Sequence, residues 1–187
     1  FKGKKKYNMS SLTLTLIQAS LHWEDRPANL KMLGEKVRGL EAKTELVVLP
    51  EMFATGFSMN VERVTEPEDG PTAAFLRELA RERGLCVVGG LAQWDVGHRA
   101  RNRCVVAGPD GALLASYTKM KPAWIGREGD HYKAGDSPVL FEHEGFRISP
   151  FICYDLRFPE VFRRAAAAWK PDLYTVIACW PVATAPA

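Results

Sequence analysis

The sequence has few of the residues on which disulfide-bonded proteins and metalloproteins depend. It contains only four cysteines and four histidines in 187 residues. The cysteines are widely spaced, form no CxxC pair and have no histidine at the spacing of a zinc site, which excludes a disulfide framework and a structural metal centre. The glycine-rich GxGxxG and Walker loops are also missing, so the sequence suggests no metal and no organic cofactor. Free thiols indicate a reduced, cytoplasmic protein in which at least one thiol has a role. The four cysteines are Cys86, Cys104, Cys153 and Cys179.

Long apolar runs and a strong charge are missing as well. No stretch is long enough to span a bilayer, and none has the order of a signal peptide, so no membrane partner is expected. The formal net charge of +3 is small and scattered, which argues against nucleic acid as a partner. The one basic run, KGKKK, lies inside Phe1–Asn8. We interpret residues 1–8 as a leader or translated upstream sequence, because Met9 is a natural start, and residues 9–187 as a single domain.

Apolar periodicity predicts helices that alternate with strands early in the chain and strand hairpins later. LTLTLIQ alternates with period two, and ELVVLPE is a continuous apolar run, so both are typical of strands. Pro150 is awkward inside a strand and indicates an edge position or a bulge. These elements predict an α/β domain with helices layered over a mixed sheet. The predicted strands are residues 12–18, 45–51, 85–92, 104–107, 112–117, 139–141, 146–152 and 173–179, the predicted helices are 30–40, 71–82 and 158–170, and residues 120–135 are predicted to form a loop.

Reactive side chains stand where several of these apolar runs stop. Glu51 ends VVLPE, Lys119 follows LLASYT, Cys153 ends SPFIC, and Glu128 lies in the loop after Lys119. Taken singly, each has an ordinary explanation, since a cysteine in an apolar run is usually a core residue and a charge after a strand is usually solvated. Side chains at strand ends converge on one rim of a sheet, however. Together they combine a nucleophile, a base and a cation.

This set supplies the groups that hydrolysis of an amide needs. A thiol is mostly protonated at neutral pH, so Glu51 would take the proton of Cys153, and a positive helix N-terminus after Cys153 would favour the thiolate. Lys119 and the backbone N–H of Tyr154 would stabilise the oxyanion. Ammonia would leave a thioester, which water hydrolyses with Glu51 as base. Glu128 would orient Lys119 or assist the base. No histidine follows a strand with an orienting acid, so a cysteine–histidine pair is unsupported.

Three motifs resemble the Glu–Lys–Cys signature of the nitrilase superfamily of carbon–nitrogen hydrolases. LPEMF contains Glu51, YTK contains Lys119, and ICYDLRFPE contains Cys153. The segment REGDHYKAG is similar to the family's loop with a second glutamate, here Glu128. The resemblance covers nearly the whole chain. It implies a nitrilase-like α-β-β-α sandwich and a homodimer that forms through the helix after the nucleophile.

Asn102-Arg103, ahead of GPDG, is similar to the central hairpin of this family. Within the superfamily, EMFATGFSM, HYKAGD and CYDLRFPE look most like the omega-amidase branch, whose members hydrolyse the terminal amide of 2-oxoglutaramate or 2-oxosuccinamate. The resemblance therefore implies a small amide substrate that carries a carboxylate, together with water. Arg157 is a candidate to bind that carboxylate, although an ion pair with Asp155 or Glu160 is the expected role of its guanidinium. Trp180 is a second candidate for substrate binding.

Departures from the omega-amidase pattern leave other interpretations open. Lys121-Pro122-Ala123 replaces His-Leu-Phe, and Cys179 stands where asparagine is more frequent. Another small amide, a carbamoyl amine or a nitrile is therefore an alternative substrate. Members of the family continue past the position of Trp180-Pro181 with further elements, whereas this chain finishes VATAPA. We expect a fragment whose C-terminal part is missing, and an inactive, unstable remnant is a third hypothesis.

Overall fold

Two β-sheets form the centre of the computed structural model, which describes residues 11–180; the predicted leader, residues 1–8, lies outside them. The strands are β1 (Leu14–Leu16), β2 (Leu46–Val48), β3 (Cys86–Trp94), β4 (Ala100–Ala107), β5 (Leu113–Thr118), β6 (Phe141–His143), β7 (Phe146–Ile152) and β8 (Leu173–Ile177). The first sheet has the order β1-β2-β3-β4-β5, in which the first three strands are parallel and the last three antiparallel. In the second sheet, β7 pairs antiparallel with β6 and parallel with β8.

Helices with conventional end signals cover these sheets. The helices are α1 (Arg26–Arg38), α2 (Val61–Val64), α3 (Pro71–Arg83), α4 (Glu128–His131) and α5 (Pro159–Trp169), and Ile125–Arg127 and Cys153–Arg157 form 3₁₀ turns. A proline lies in the first turn of α1, α3 and α5, where its missing N–H costs no hydrogen bond. The left-handed Gly84, with φ of 62°, ends α3 as predicted. None of these helices within residues 11–180 has both the length and the apolarity that crossing a membrane requires.

Alternate residues of the first sheet point in opposite directions, which creates two apolar cores. One face, with Val48 and Val88, packs against Ile148 of the second sheet. The other face, with Val47 and Val87, packs against α1 and α3. Helix α5 packs against the second sheet, and its buried residues belong to the core that the two sheets share. The layers therefore follow the order helix, sheet, sheet, helix, and the predicted nitrilase-like α-β-β-α fold is confirmed.

Some predicted element bounds differ from the observed ones. Strand β1 is only three residues long, because its partner β2 contributes three paired residues. Residues 120–135, predicted as a loop, contain the single turn of α4. A helix this short has no apolar periodicity, so the sequence pattern did not indicate it.

We had expected Pro150 at a sheet edge or in a bulge, but it lies in β7, the middle strand of the second sheet. Strand β6 begins at Phe141, opposite Ile148, so the ladder between β6 and β7 ends before Pro150 is reached. In an antiparallel pair, alternate residues direct their backbone groups to the same neighbour, which places the nitrogen of Pro150 on the β6 side. The missing N–H therefore interrupts no hydrogen bond of the ladder.

Strand β3 passes close behind Glu51 because residue 90 is glycine. A Cβ atom on Gly90 would lie 2.7 Å from Cα of Glu51 and 2.8 Å from the backbone nitrogen of Met52. The N–H of Gly90 donates to the Pro50 carbonyl at 3.1 Å, and its carbonyl accepts from the Phe53 N–H at 3.0 Å. These contacts fix the backbone on both sides of Glu51.

We expect Gly90→Ala to lower the free energy of unfolding by about 3 kcal/mol, since the added methyl group meets backbone atoms that have no freedom to move aside. Denaturant titration of the variant measures this loss. Gly39→Ala is the matched control, because its Cβ has 3.4 Å to the nearest atom, and its φ is −81°. Equal stability of Gly90→Ala and the unmodified protein would contradict the close approach.

Candidate active site

The ends of three strands bring a carboxylate, an ammonium and a thiol together. Glu51 lies shortly after β2, Lys119 directly after β5, and Cys153 directly after β7. Nζ of Lys119 lies 2.8 Å from Oε1 of Glu51, and the Cys153 thiol is near enough to both groups for their charges to act on its pKa. All three side chains are buried. The residues that the sequence patterns selected as a catalytic set therefore form one cluster.

Lys119 is held between two buried carboxylates. Its Nζ lies 2.8 Å from Oε1 of Glu51 and 2.9 Å from Oε2 of Glu128, and 5.1 Å from the centre of the Phe57 ring. Burial alone would lower the pKa of Lys119, but the charges of Glu51 and Glu128 outweigh it and raise the pKa above its ordinary value. An ammonium has three N–H donors, so one remains for a further acceptor. Lys119 is thus a permanent cation with a free donor.

Both oxygens of Glu51 are fixed by hydrogen bonds. Oε1 accepts from Nδ2 of Asn102 at 2.8 Å as well as from Lys119, and Oε2 accepts from the backbone N–H of Cys179 at 2.9 Å. Because the backbone of Cys179 makes this contact, the exchange of asparagine for cysteine at this position leaves the contact in place. Glu51 is therefore oriented with one oxygen toward the lysine.

Glu128 begins α4 and is completely buried. Its Oε2 accepts from Lys119 and from the backbone N–H of Ala123, the latter at 2.5 Å, while its Oε1 accepts from Asn102 at 2.8 Å. Of the two predicted roles, this geometry favours the orientation of Lys119, because Glu128 contacts the ammonium directly.

Asn102 is a site residue that sequence reasoning missed, although its motif was noted. Its Nδ2 donates to both Glu51 and Glu128, and its Oδ1 has no hydrogen-bond partner within the described part of the chain. Asn102 shares a face of β4 with the buried Cys104 and Val106. A carboxamide at the buried end of an apolar face is the signal that could have identified it.

Cys153 is held in a strained backbone conformation at the end of β7. Its φ is 43°, in the left-handed region that residues with a side chain seldom adopt, and only the 3₁₀ turn Cys153–Arg157 follows. Burial and the negative charge of Glu51 raise the pKa of Cys153 to about 12, although Lys119 opposes this shift. Burial and the carboxylate therefore outweigh the charge of Lys119, and the effect of a helix N-terminus on the thiolate stays a prediction.

The remaining candidates lie at the margin of the cluster. Tyr154 is half-buried, and its N–H belongs to the first turn of a 3₁₀ segment, where no intrahelical partner exists. Trp180 and Arg157 are exposed. The expected ion pair of Arg157 with Asp155 or Glu160 is not formed within residues 11–180. Asp155 instead accepts from Tyr117, Lys121 and Ile152, and Glu160 pairs with the Lys121 ammonium at 3.0 Å.

Potential metal ligands are not clustered in the described chain. Between residues 11 and 180, no group of three or more His, Cys, Asp or Glu side chains is arranged to hold a metal ion. The two site glutamates instead share the ammonium of Lys119, which occupies the position between them.

The geometry of this cluster agrees with the family of proteins to which the sequence is similar. A family model described as carbon-nitrogen hydrolase matches residues 13–181. The chain is 37% identical to the omega-amidase YafV of Yersinia enterocolitica, over 95% of this chain and 66% of that protein. It is 26% identical to the 2-oxoglutaramate amidase of Bacillus subtilis, over 91% of this chain and 66% of that protein.

Solved structures show the same fold. The CN-hydrolase superfamily protein XC1258 of Xanthomonas campestris, described with an arsenic adduct in its active site, superposes with a TM-score of 0.86 at 36% identity, over 94% of this chain and 68% of that one. The chain thus spans about two thirds of the length of the relatives that it matches.

Replacing Glu51 by glutamine should lower the pKa of the Cys153 thiol. The carboxylate charge contributes to the raised pKa of the thiol, so its removal lowers that pKa, and one unit changes the thiolate fraction at neutral pH about tenfold. The rate of alkylation of Cys153 by iodoacetamide, followed by peptide mapping over a range of pH, measures the shift.

Glu66→Gln is the control for this experiment, because Glu66 is also a buried carboxylate but caps the N-terminus of α3 outside the cluster. We expect it to leave the alkylation of Cys153 unchanged. A pKa of Cys153 that is unchanged or higher in Glu51→Gln would mean that the carboxylate does not hold the proton on the sulfur.

Proposed function

The chain belongs to the carbon-nitrogen hydrolase family, and we propose that it releases ammonia from the terminal amide of a small 2-oxo acid amide, either 2-oxoglutaramate or 2-oxosuccinamate. One observation carries the proposal: the ends of three strands place the Cys153 thiol beside a buried group in which Glu51 and Glu128 share the ammonium of Lys119. This arrangement combines a nucleophile with its base and with a cation for the developing negative charge.

In the first half of the proposed reaction, Glu51 takes the proton of the Cys153 thiol as the sulfur attacks the amide carbon. The carbonyl oxygen becomes an oxyanion, which accepts from the free N–H of Lys119 and from the backbone N–H of Tyr154. Loss of one such donor typically raises the barrier by about 3 kcal/mol. The proton on Glu51 then passes to the nitrogen, the C–N bond breaks, and ammonia leaves a thioester on Cys153.

In the second half, water hydrolyses the thioester. Glu51 takes a proton from the water as its oxygen attacks the thioester carbon, and Lys119 again stabilises the oxyanion. The C–S bond breaks, the sulfur regains a proton from Glu51, and the carboxylic acid leaves. Glu128 makes no contact with the reacting atoms in this scheme; it orients the ammonium of Lys119.

The substrate class is proposed from the names of the relatives. The proteins from Yersinia and Bacillus are called omega-amidase and 2-oxoglutaramate amidase. A 2-oxo acid amide carries a carboxylate, and we assign the exposed guanidinium of Arg157, which pairs with neither Asp155 nor Glu160, as the cation that meets it. Trp180 would form an adjacent wall. A cytoplasmic location is consistent with four free cysteines.

We expect Cys153→Ser to abolish ammonia release from 2-oxoglutaramate, because a serine hydroxyl is far less acidic than a thiol and Glu51 has no second base to assist it. A coupled assay for ammonia on the full-length protein measures the loss. Cys86→Ala is the matched control: Cys86 is buried in β3 within the core, outside the cluster, and its loss should leave turnover in place.

A panel of amides separates the proposed substrate class from its alternatives. Preference for an uncharged amide, a carbamoyl amine or a nitrile over 2-oxoglutaramate would move the protein to another activity with the same cysteine chemistry. Turnover retained by Cys153→Ser would remove the nucleophile assignment itself.

We also propose that the protein forms a homodimer through α5. Val161 and Ala165 are buried in the core, whereas Ala167 and Ala168, near the end of the helix, are exposed. Small exposed side chains would allow a helix of a second copy to approach closely.

Ala168→Glu should therefore convert a dimer into a monomer, since it places two like charges at the contact. Sedimentation velocity over a range of concentrations measures the change. Lys170→Glu, at the exposed end of the helix, is the control and should leave the dimer intact. A dimer that persists in Ala168→Glu would exclude this face of α5.

A further inference from the structure

Asp155, in the turn that starts at Cys153, is a buried carboxylate without a role in the chemistry described above. It is completely shielded from solvent. Its Oδ2 accepts from the Tyr117 hydroxyl at 2.7 Å and from the backbone N–H of Ile152 at 3.0 Å, and its Oδ1 accepts from the backbone N–H of Lys121 at 2.9 Å. All three donors point at one carboxyl group, and hydrogen bonds to a carboxylate are stronger than those between neutral groups.

These three donors flank the two reacting side chains. Ile152 directly precedes Cys153, whereas Tyr117 and Lys121 lie two residues before and two residues after Lys119. Ile152 ends β7 of the second sheet, and Tyr117 belongs to β5 of the first. One carboxylate therefore connects the strand that carries the sulfur to the strand that carries the ammonium.

Tyr117 extends the connection by one further bond. Its hydroxyl oxygen accepts from the backbone N–H of Met120 at 3.3 Å while its proton goes to Asp155. Burial and the negative charge of Asp155 raise the pKa of Tyr117, so the phenol stays protonated and remains a donor. The residues on both sides of Lys119 are thus tied to the same carboxylate.

A buried carboxylate is an expensive way to join two strands. Burial raises the pKa of Asp155, and the hydrogen bonds from Tyr117, Ile152 and Lys121 oppose that shift. Apolar packing would give equal stability at lower desolvation cost, but it would fix the separation of two backbones less exactly than directed hydrogen bonds do.

We propose that Asp155 is a positioning residue, which sets the separation of the Cys153 sulfur from the Lys119 ammonium without contacting the substrate. The proposal deepens the cysteine chemistry proposed above and rests on it. Displacement of reacting groups by about 1 Å is enough to cost on the order of a hundredfold in rate. A loss of the Asp155 bonds should therefore affect the rate of the reaction more than the binding of the substrate.

Asp155→Asn tests this in the full-length protein, because it keeps the volume and turns an acceptor into an N–H₂ donor that faces other donors. We expect kcat to fall about tenfold to a hundredfold while KM changes little. Cys153 should at the same time react faster with iodoacetamide at neutral pH, since a loosened turn exposes the thiol and brings its pKa back toward the ordinary range.

Tyr117→Phe is the second variant, which removes one hydrogen bond and keeps the charge of Asp155. We expect the same two changes in smaller degree, and this variant decides the question if Asp155→Asn does not fold. Glu66→Gln is the matched control, since Glu66 is a buried carboxylate that also accepts three hydrogen bonds, at the start of α3. It should lower the melting temperature and leave both kcat and the alkylation of Cys153 unchanged.

The outcomes separate this proposal from the proposed function. If the Asp155 and Tyr117 variants lose stability as Glu66→Gln does, with kcat and the alkylation rate unaltered, the role of Asp155 is structural and the proposal fails. If the unmodified protein hydrolyses none of the amides, the proposed function fails, and the alkylation rates of the variants still decide whether Asp155 positions Cys153.

Discussion

The site depends on one buried ammonium between two buried carboxylates. Lys119 contacts Glu51 and Glu128 at 2.8 and 2.9 Å, and all three side chains are removed from water. Desolvation of three charges costs several kcal/mol each, so the group is stable only because the distances are short and because Asn102 and the backbone N–H of Cys179 satisfy the remaining oxygens. Removal of any one charge would leave the others uncompensated. The arrangement is thus too costly to serve stability alone, which is why its placement beside a cysteine is informative.

The backbone stores strain at the points where these side chains are presented. Met52, Arg127 and Cys153 have φ of 46°, 52° and 43°. The first follows Glu51, the second precedes Glu128, and the third carries the sulfur. Left-handed conformations of such residues cost on the order of 1–3 kcal/mol each and persist only where the surroundings enforce them. Gly90 and the hydrogen bonds of Asp155 are two of the features that enforce them here. The fold thus turns the chain sharply after two strands and before α4, and contacts elsewhere compensate for the strain.

Sequence patterns predicted those parts of the site that coincide with the ends of apolar runs. Glu51, Lys119 and Cys153 each interrupt such a run, and strand ends share a rim, so their convergence followed from period and topology. Asn102 and Asp155 were not found, because one lies within a strand and the other stands near Arg157, which suggested an ion pair. The partners of Asn102 are two carboxylates from distant parts of the chain, and those of Asp155 are a tyrosine hydroxyl and two backbone N–H groups. Hydrogen bonds of this kind leave no trace in charge or hydrophobic periodicity. The layers of the fold were predictable, whereas α4, a single turn, was not.

The surroundings of Cys153 keep its thiol protonated, so in the proposed reaction the sulfur becomes a nucleophile only when a substrate is bound. Burial, and after it the negative charge of Glu51, raise the pKa of Cys153 to about 12 against the opposing effect of Lys119, so the resting thiol keeps its proton. A cysteine beside a histidine is activated before the substrate arrives, whereas in the proposed reaction Cys153 loses its proton to Glu51 only as the C–S bond forms. In this reaction the negative charge moves from the Glu51 carboxylate to the oxyanion. Lys119 then contacts a different negatively charged group and keeps its own charge. A protonated, buried thiol reacts slowly with oxidants and stray electrophiles. Because of its raised pKa, the sulfur is a poor nucleophile when no ligand is bound. In the proposed reaction it therefore reacts only with ligands that place a hydrogen-bond acceptor against Lys119.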